Sequence, residues 1–147
     1  MSGAIEAQLE KEGFYVSTTV GTSMWPMLRN RRDRVILRPL REGERLSRLD
    51  LPLYLRPDGL YVLHRVIGVR DGHYIIRGDN TYAKEIGPDE WIVGVMTEFY
   101  RGNRHVSASS CRYRFYAWLW QGIYPIRACV RRVRGLLGRI KRKICKK

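Results

Sequence analysis

The sequence predicts a mainly β domain with a short helix before it and a basic helix after it. Short β-branched and aromatic runs recur between residues 14 and 100. Turn signals such as Arg56-Pro57-Asp58-Gly59 and Asp71-Gly72 separate them at short intervals. Helical spacing of apolar residues occurs only at the two ends. With 147 residues and 44% apolar content, the chain is long enough to bury one core and too apolar to be wholly disordered.

Taken in order, residues 3–12 read as a short polar helix, with Ile5 and Leu9 on one face at i, i+4 spacing. Phe14 to Val20 is a strand that Gly21 breaks, and Val35-Ile36-Leu37 is the next short strand. Pro39 to Arg48 is polar and loop-like. Leu51 to Leu55 and Leu60 to Val69 form strands around the Arg-Pro-Asp-Gly turn. Asp71-Gly72 leads into Tyr74 to Arg77, and Ile92 to Tyr100 ends the β-rich part at the turn Arg101-Gly102-Asn103. From Ile126 the apolar residues Val130, Val133, Leu137, Ile140 and Ile144 follow at steps of three and four, with Arg and Lys between them. This is an amphipathic basic helix beginning near Pro125, a residue suited to a first helical turn. Gly135 and Gly138 weaken it by up to about 1 kcal/mol each relative to Ala. The expected division is therefore a body over 1–110 and a basic tail over 111–147.

Charge follows the same division. The formal net charge is +14, yet residues 1–111 hold 16 Lys/Arg against all 14 acids. Residues 112–147 hold 12 Lys/Arg and no acid. Cys111, Cys129 and Cys145 are odd in number and form neither a metal spacing nor a disulfide framework, as expected of a reducing compartment. The N-terminal stretch has acids where a signal peptide has bases, and Phe115 to Val130 is too short and too polar to span a bilayer. The expectation is a cytoplasmic chain, peripheral on the inner membrane face if the tail binds there.

Three segments carry chemistry. In Gly21-Thr22-Ser23-Met24-Trp25-Pro26 a serine follows a glycine break and precedes a proline-fixed bend. Such a turn can present both the hydroxyl and the serine's own amide to a carbonyl. In Leu63-His64-Arg65-Val66 a histidine sits inside an apolar strand. Arg77-Gly78-Asp79-Asn80 is a turn with a carboxylate at the end of the next strand. A serine hydroxyl needs a base at neutral pH, imidazole titrates in the right range, and a carboxylate can orient the imidazole. Each segment alone has an ordinary structural reading: a turn serine, a packed strand histidine, a turn aspartate.

Together and in order, TSMWPML, VLHRV, IRGDN and IVGVM resemble the S24/S26 serine peptidases, which include signal peptidases and self-cleaving LexA-type repressors. The resemblance covers about residues 14–100. It implies an S24/S26-type β-roll and a serine endopeptidase that is signal-peptidase-like or processes a precursor or leader peptide. Ser23 matches the nucleophile and His64 the general base of the histidine-using branch. No lysine lies between Lys11 and Lys84, which removes the Ser/Lys alternative. Asp79 matches the aspartate of the Gly-Asp-Asn box and is the favoured partner of His64. Glu85, six residues on, falls where the histidine branch carries a further acid and is the alternative. Ser23 and Thr22 are the oxyanion candidates, because Gly21 stands where many members have a serine. Met24 and Pro26 are the substrate-contact candidates. No metal or cofactor is implied.

The expectation is that the chain departs from signal peptidases in lacking a membrane anchor, and from the repressors in lacking a DNA-binding domain before its first strand. The expected partners are a peptide or protein substrate and an anionic membrane surface met by residues 115–147, where Tyr116, Trp118, Trp120 and Tyr124 suit a headgroup region. Nucleic acid is the weaker expectation, since no base-reading motif is present. No feature specifies an oligomeric state. The rival function is an inactive peptide-binding or membrane-surface module of the same fold.

Overall fold

A computed structural model describes residues 3–144. The fold is mainly β, with antiparallel sheets, one N-terminal helix and two C-terminal helices. Helix α1 (Ala4–Glu12) buries Leu9 and rests Ile5 on the same core, as their spacing requires. The strands are β1 (Tyr15–Thr18), β2 (Arg34–Arg38), β3 (Pro52–Leu55), β4 (Tyr61–Leu63), β5 (Arg65–Arg70), β6 (His73–Arg77), β7 (Glu85–Pro88), β8 (Ile92–Arg101) and β9 (Arg104–Ser107). Helices α2 (Cys111–Gly122) and α3 (Tyr124–Ile144) close the chain.

One sheet runs β1-β2-β8-β3-β4, with β9 added to β8; the other runs β5-β6-β7. Long β8 organises the first sheet, pairing with β2 and β9 through its C-terminal half and with β3 through its N-terminal half. Two apolar clusters lie on opposite faces of that sheet. Leu53 and Met96 join Leu9, Met27, Leu28, Val35, Leu37 and Phe99 in the first cluster. Their neighbours Tyr54 and Val95 join Leu46, Val66, Tyr74 and Ile76 in the second, which lies against the smaller sheet. Successive strand residues point to opposite faces, so β3 is buried on both sides, and its side chains alternate between the clusters.

Two differences from the sequence reading matter for the site. The expected single strand from Leu60 to Val69 is two strands in two sheets, with His64 alone at the crossing. The Glu85–Pro88 strand, too short and too glycine-interrupted to show a period, pairs with β6 and completes the small sheet. At the C-terminus, Ser110 caps α2 by accepting from the Tyr113 amide. α2 then buries Tyr113 and Ala117 against the body, so residues 111–122 are packed rather than trailing. α3 begins at Tyr124 with Pro125 in its first turn, as the pattern requires. Cys111 and Cys129 are free thiols, and Cys145 lies outside the described residues. Among the described residues no helix is long and apolar enough to cross a membrane.

Candidate active site

Ser23 sits in a tight turn between β1 and β2. Gly21 adopts φ +96°, a backbone conformation open to glycine, and its amide donates to Asn30 Oδ1 at 2.9 Å. The Trp25 amide donates to the Thr22 carbonyl at 3.1 Å and closes the turn. Met24, Met27 and Leu28 are buried in the first cluster and anchor the segment, while Ser23 itself stays half-buried. Among the described residues the Ser23 and Met24 amides find no acceptor.

The Gly78–Asn80 turn locks onto this segment. The Asn80 amide donates to the Ser23 carbonyl at 2.7 Å, and Asn80 Nδ2 donates to the Thr22 carbonyl at 3.2 Å. Gly78 permits a close approach: a Cβ there would stand 2.8 Å from the Ser23 carbonyl and 3.0 Å from His64 Nε2. The serine turn and the imidazole therefore converge on the same glycine. The β5–β6 hairpin explains why His64 arrives there, since the register pairing Arg65 with Arg77 brings the preceding residue beside Gly78.

His64 is 7% exposed, and its other nitrogen is held from behind. Nδ1 lies 3.2 Å from the Tyr54 hydroxyl and 3.6 Å from Glu85 Oε1. The Tyr54 hydroxyl in turn donates to Glu85 Oε2 at 2.9 Å. Burial, together with the adjacent carboxylate, pushes the Tyr54 phenol far up, so it keeps its proton. With that proton given to Glu85, the hydroxyl accepts from Nδ1–H, and the remaining lone pair of the imidazole is on Nε2, the side facing Gly78. Burial holds the His64 pKa below the ordinary histidine value, against the pull of Glu85. Burial therefore favours the neutral form of the imidazole.

Asp79 is placed differently from the expectation that it orients His64. Its carboxylate makes a buried two-pronged pair with Arg65, at 2.8 Å from Nε and 2.7 Å from Nη2. The reason is local. His64 and Arg65 are consecutive in an extended segment and point to opposite sides, so one carboxylate cannot serve both closely. Arg65 is fully buried and must be paired. Although burial opposes its charge, Asp79 holds the guanidinium firmly protonated. The acid beside His64 is Glu85, carried there by β7. Three residues that sequence reasoning missed complete the arrangement: Tyr54, Arg65 and Gln121, whose Nε2 donates to Asp79 Oδ1 at 3.0 Å. An arginine in an apolar strand was a readable sign of a buried ion pair; nothing marked Tyr54 or Gln121.

Ser23 and His64 line one cleft of about 380 Å3. Its walls come from Ser17–Gly21 on one side and Val62–His64 with Arg56 on the other, over a floor of Leu28, Val35, Leu37 and Leu53. Met24 lines the cleft while its side chain belongs to the core; Pro26 is not among the lining residues. Among the described residues no group of three or more His, Cys, Asp or Glu could hold a metal ion. Compared with known proteins, the chain matches no family model and no curated sequence.

Proposed function

We propose that the protein is a serine endopeptidase with an S24/S26-type β-roll, hydrolysing one peptide bond of an extended precursor or leader segment. The observation that carries this reading is that Ser23 and His64 line one cleft, with the Ser23 carbonyl and His64 Nε2 both close to Gly78 and the imidazole held from behind by Tyr54 and Glu85. Ser23 Oγ attacks the scissile carbonyl carbon as its proton passes to His64 Nε2. The carbonyl oxygen, now an oxyanion, is received by the Ser23 and Met24 amides, whereas Thr22, expected to help here, is exposed and is not among the cleft-lining residues. His64 returns the proton to the departing amine as the C–N bond breaks, leaving an acyl ester on Ser23. A water molecule, deprotonated by the same nitrogen, then releases the acid and restores the hydroxyl. Glu85 acts through Tyr54 to favour the imidazolium formed in each half, and Asp79 holds the turn that seats Ser23.

Labelling with a fluorophosphonate probe, read by mass spectrometry, tests this without a known substrate. The intact protein should be labelled at Ser23. Labelling should vanish in Ser23→Ala and fall by about 10²-fold or more in His64→Ala. If wild type resists both this probe and a second acyl-type probe, the peptidase reading fails and the cleft becomes a site that binds peptides without cleaving them.

A further inference from the structure

The faces of α2 and α3 that point away from the body are apolar, and nothing in the cleft chemistry uses them. On α2 the inward residues are Tyr113, Ala117, Trp120 and Gln121, while Phe115, Trp118 and Leu119 are exposed. On α3 the inward residues are Tyr124, Arg127 and Arg131. Tyr124 lies under the Arg77 guanidinium, Arg127 donates to the Asp79 carbonyl, and Arg131 covers the Tyr82 ring. By helical spacing Ile126, Val130, Val133 and Leu137 fall on the opposite side, and all four are exposed.

A helix of 21 residues with such a stripe gains little from water and is stable when a surface covers the stripe. What covers it must also accept charge, since residues 112–147 carry 12 Lys/Arg and no acid. We infer that the outer faces of α2 and α3 dock on an anionic lipid bilayer, with the aliphatic stripe and Phe115 and Trp118 entering the headgroup boundary. A bilayer fits better than nucleic acid. A polyanion would use exposed arginines such as Arg132 and Arg134 but would leave the apolar stripe in water, whereas an anionic bilayer takes up both. The inference does not depend on the peptidase chemistry and is read by a separate experiment.

Full-length protein is floated with vesicles of phosphatidylcholine alone and with vesicles that also contain phosphatidylglycerol. It should rise with the anionic vesicles, not with the neutral ones, and binding should weaken as salt is raised. Val130→Glu with Val133→Glu, and separately Phe115→Ser with Trp118→Ser, should each weaken binding by roughly tenfold or more. Because the two pairs sit on different helices and are exposed, an unchanged unfolding midpoint for either keeps the test sound. The inference is overturned if the protein fails to float with anionic vesicles, or if both double variants float like wild type. Binding of a DNA duplex without vesicle binding also overturns it, in favour of a nucleic-acid surface.

Discussion

At the scale of single residues, the two carboxylates near the site do different work, and their substitutions should separate cleanly. Glu85 is coupled to His64 at Nδ1, so it raises an imidazole pKa that burial depresses. Removing its charge in Glu85→Gln lowers the His64 pKa further. In the proposed mechanism His64 must be neutral to act as base, so the acid limb of the rate-against-pH profile for Ser23 labelling should move to lower pH. The plateau rate should fall by about 10²-fold, because the imidazolium loses its partner. A Glu85→Gln profile that overlays wild type in position and height would remove Glu85 from the mechanism. Asp79, in contrast, neutralises a fully buried guanidinium. Asp79→Asn leaves that charge unpaired, at a cost of about 3–5 kcal/mol. This should lower the thermal unfolding midpoint by something on the order of 10 °C, read by calorimetry. Glu85→Gln should move the midpoint far less, since Glu85 is partly exposed. His64 itself adds a pH dependence of stability. Its folded pKa lies below its unfolded one, so the unfolded chain binds the extra proton, and stability is lost as pH falls from about 6.5 toward the folded value.

At the scale of elements, the site exists because one strand-like stretch is split between two sheets. β4 leaves the first sheet at Leu63, β5 enters the second at Arg65, and the residue between them faces the cleft. Periodicity could not show this, because Leu60 to Val69 reads as one run; pairing partners far along the chain decide where it breaks. The serine turn was legible from the Gly21 break and the proline-fixed bend at Pro26, and the basic helix was legible from its spacing. The β5–β6 hairpin was legible from Asp71-Gly72. α2 was not, since its inward residues, Tyr113, Ala117, Trp120 and Gln121, show no uniform apolar stripe. They are selected by partners: Tyr113 accepts from Arg65 at 2.9 Å, and Trp120 Nε1 donates to the Asp79 carbonyl at 3.1 Å. The helices thus brace the turn that seats Ser23. A chain ending at Ser110 should therefore unfold at a lower temperature and lose Ser23 labelling. One ending at Gly135, which keeps Arg127 and Arg131, should label like the full protein. Equal labelling by all three lengths would show that α2 is dispensable to the site.

At the scale of the whole molecule, the first sheet curls so that its two end strands face each other across the cleft. Residues of β1 and its extension, Ser17 to Gly21, form one wall, and Val62 to His64, from β4 onward, form the other. End strands present unpaired backbone donors and acceptors, and an extended peptide can complete them by adding a strand. The apolar floor of Leu28, Val35, Leu37 and Leu53 would receive alternate side chains, which suits a substrate with small or apolar residues there. Backbone pairing predicts a specific footprint. A phosphonate bearing a peptide extension, once attached to Ser23, should slow hydrogen exchange at amides of β1 and β4 together. A small fluorophosphonate attached to the same oxygen should leave both strands unchanged. Protection of β1 alone would mean that the peptide lies along one wall and that β4 contributes only His64. Protection of neither would mean that the peptide extension lies outside the cleft, and that the two end strands serve the closure of the sheet rather than the capture of a substrate.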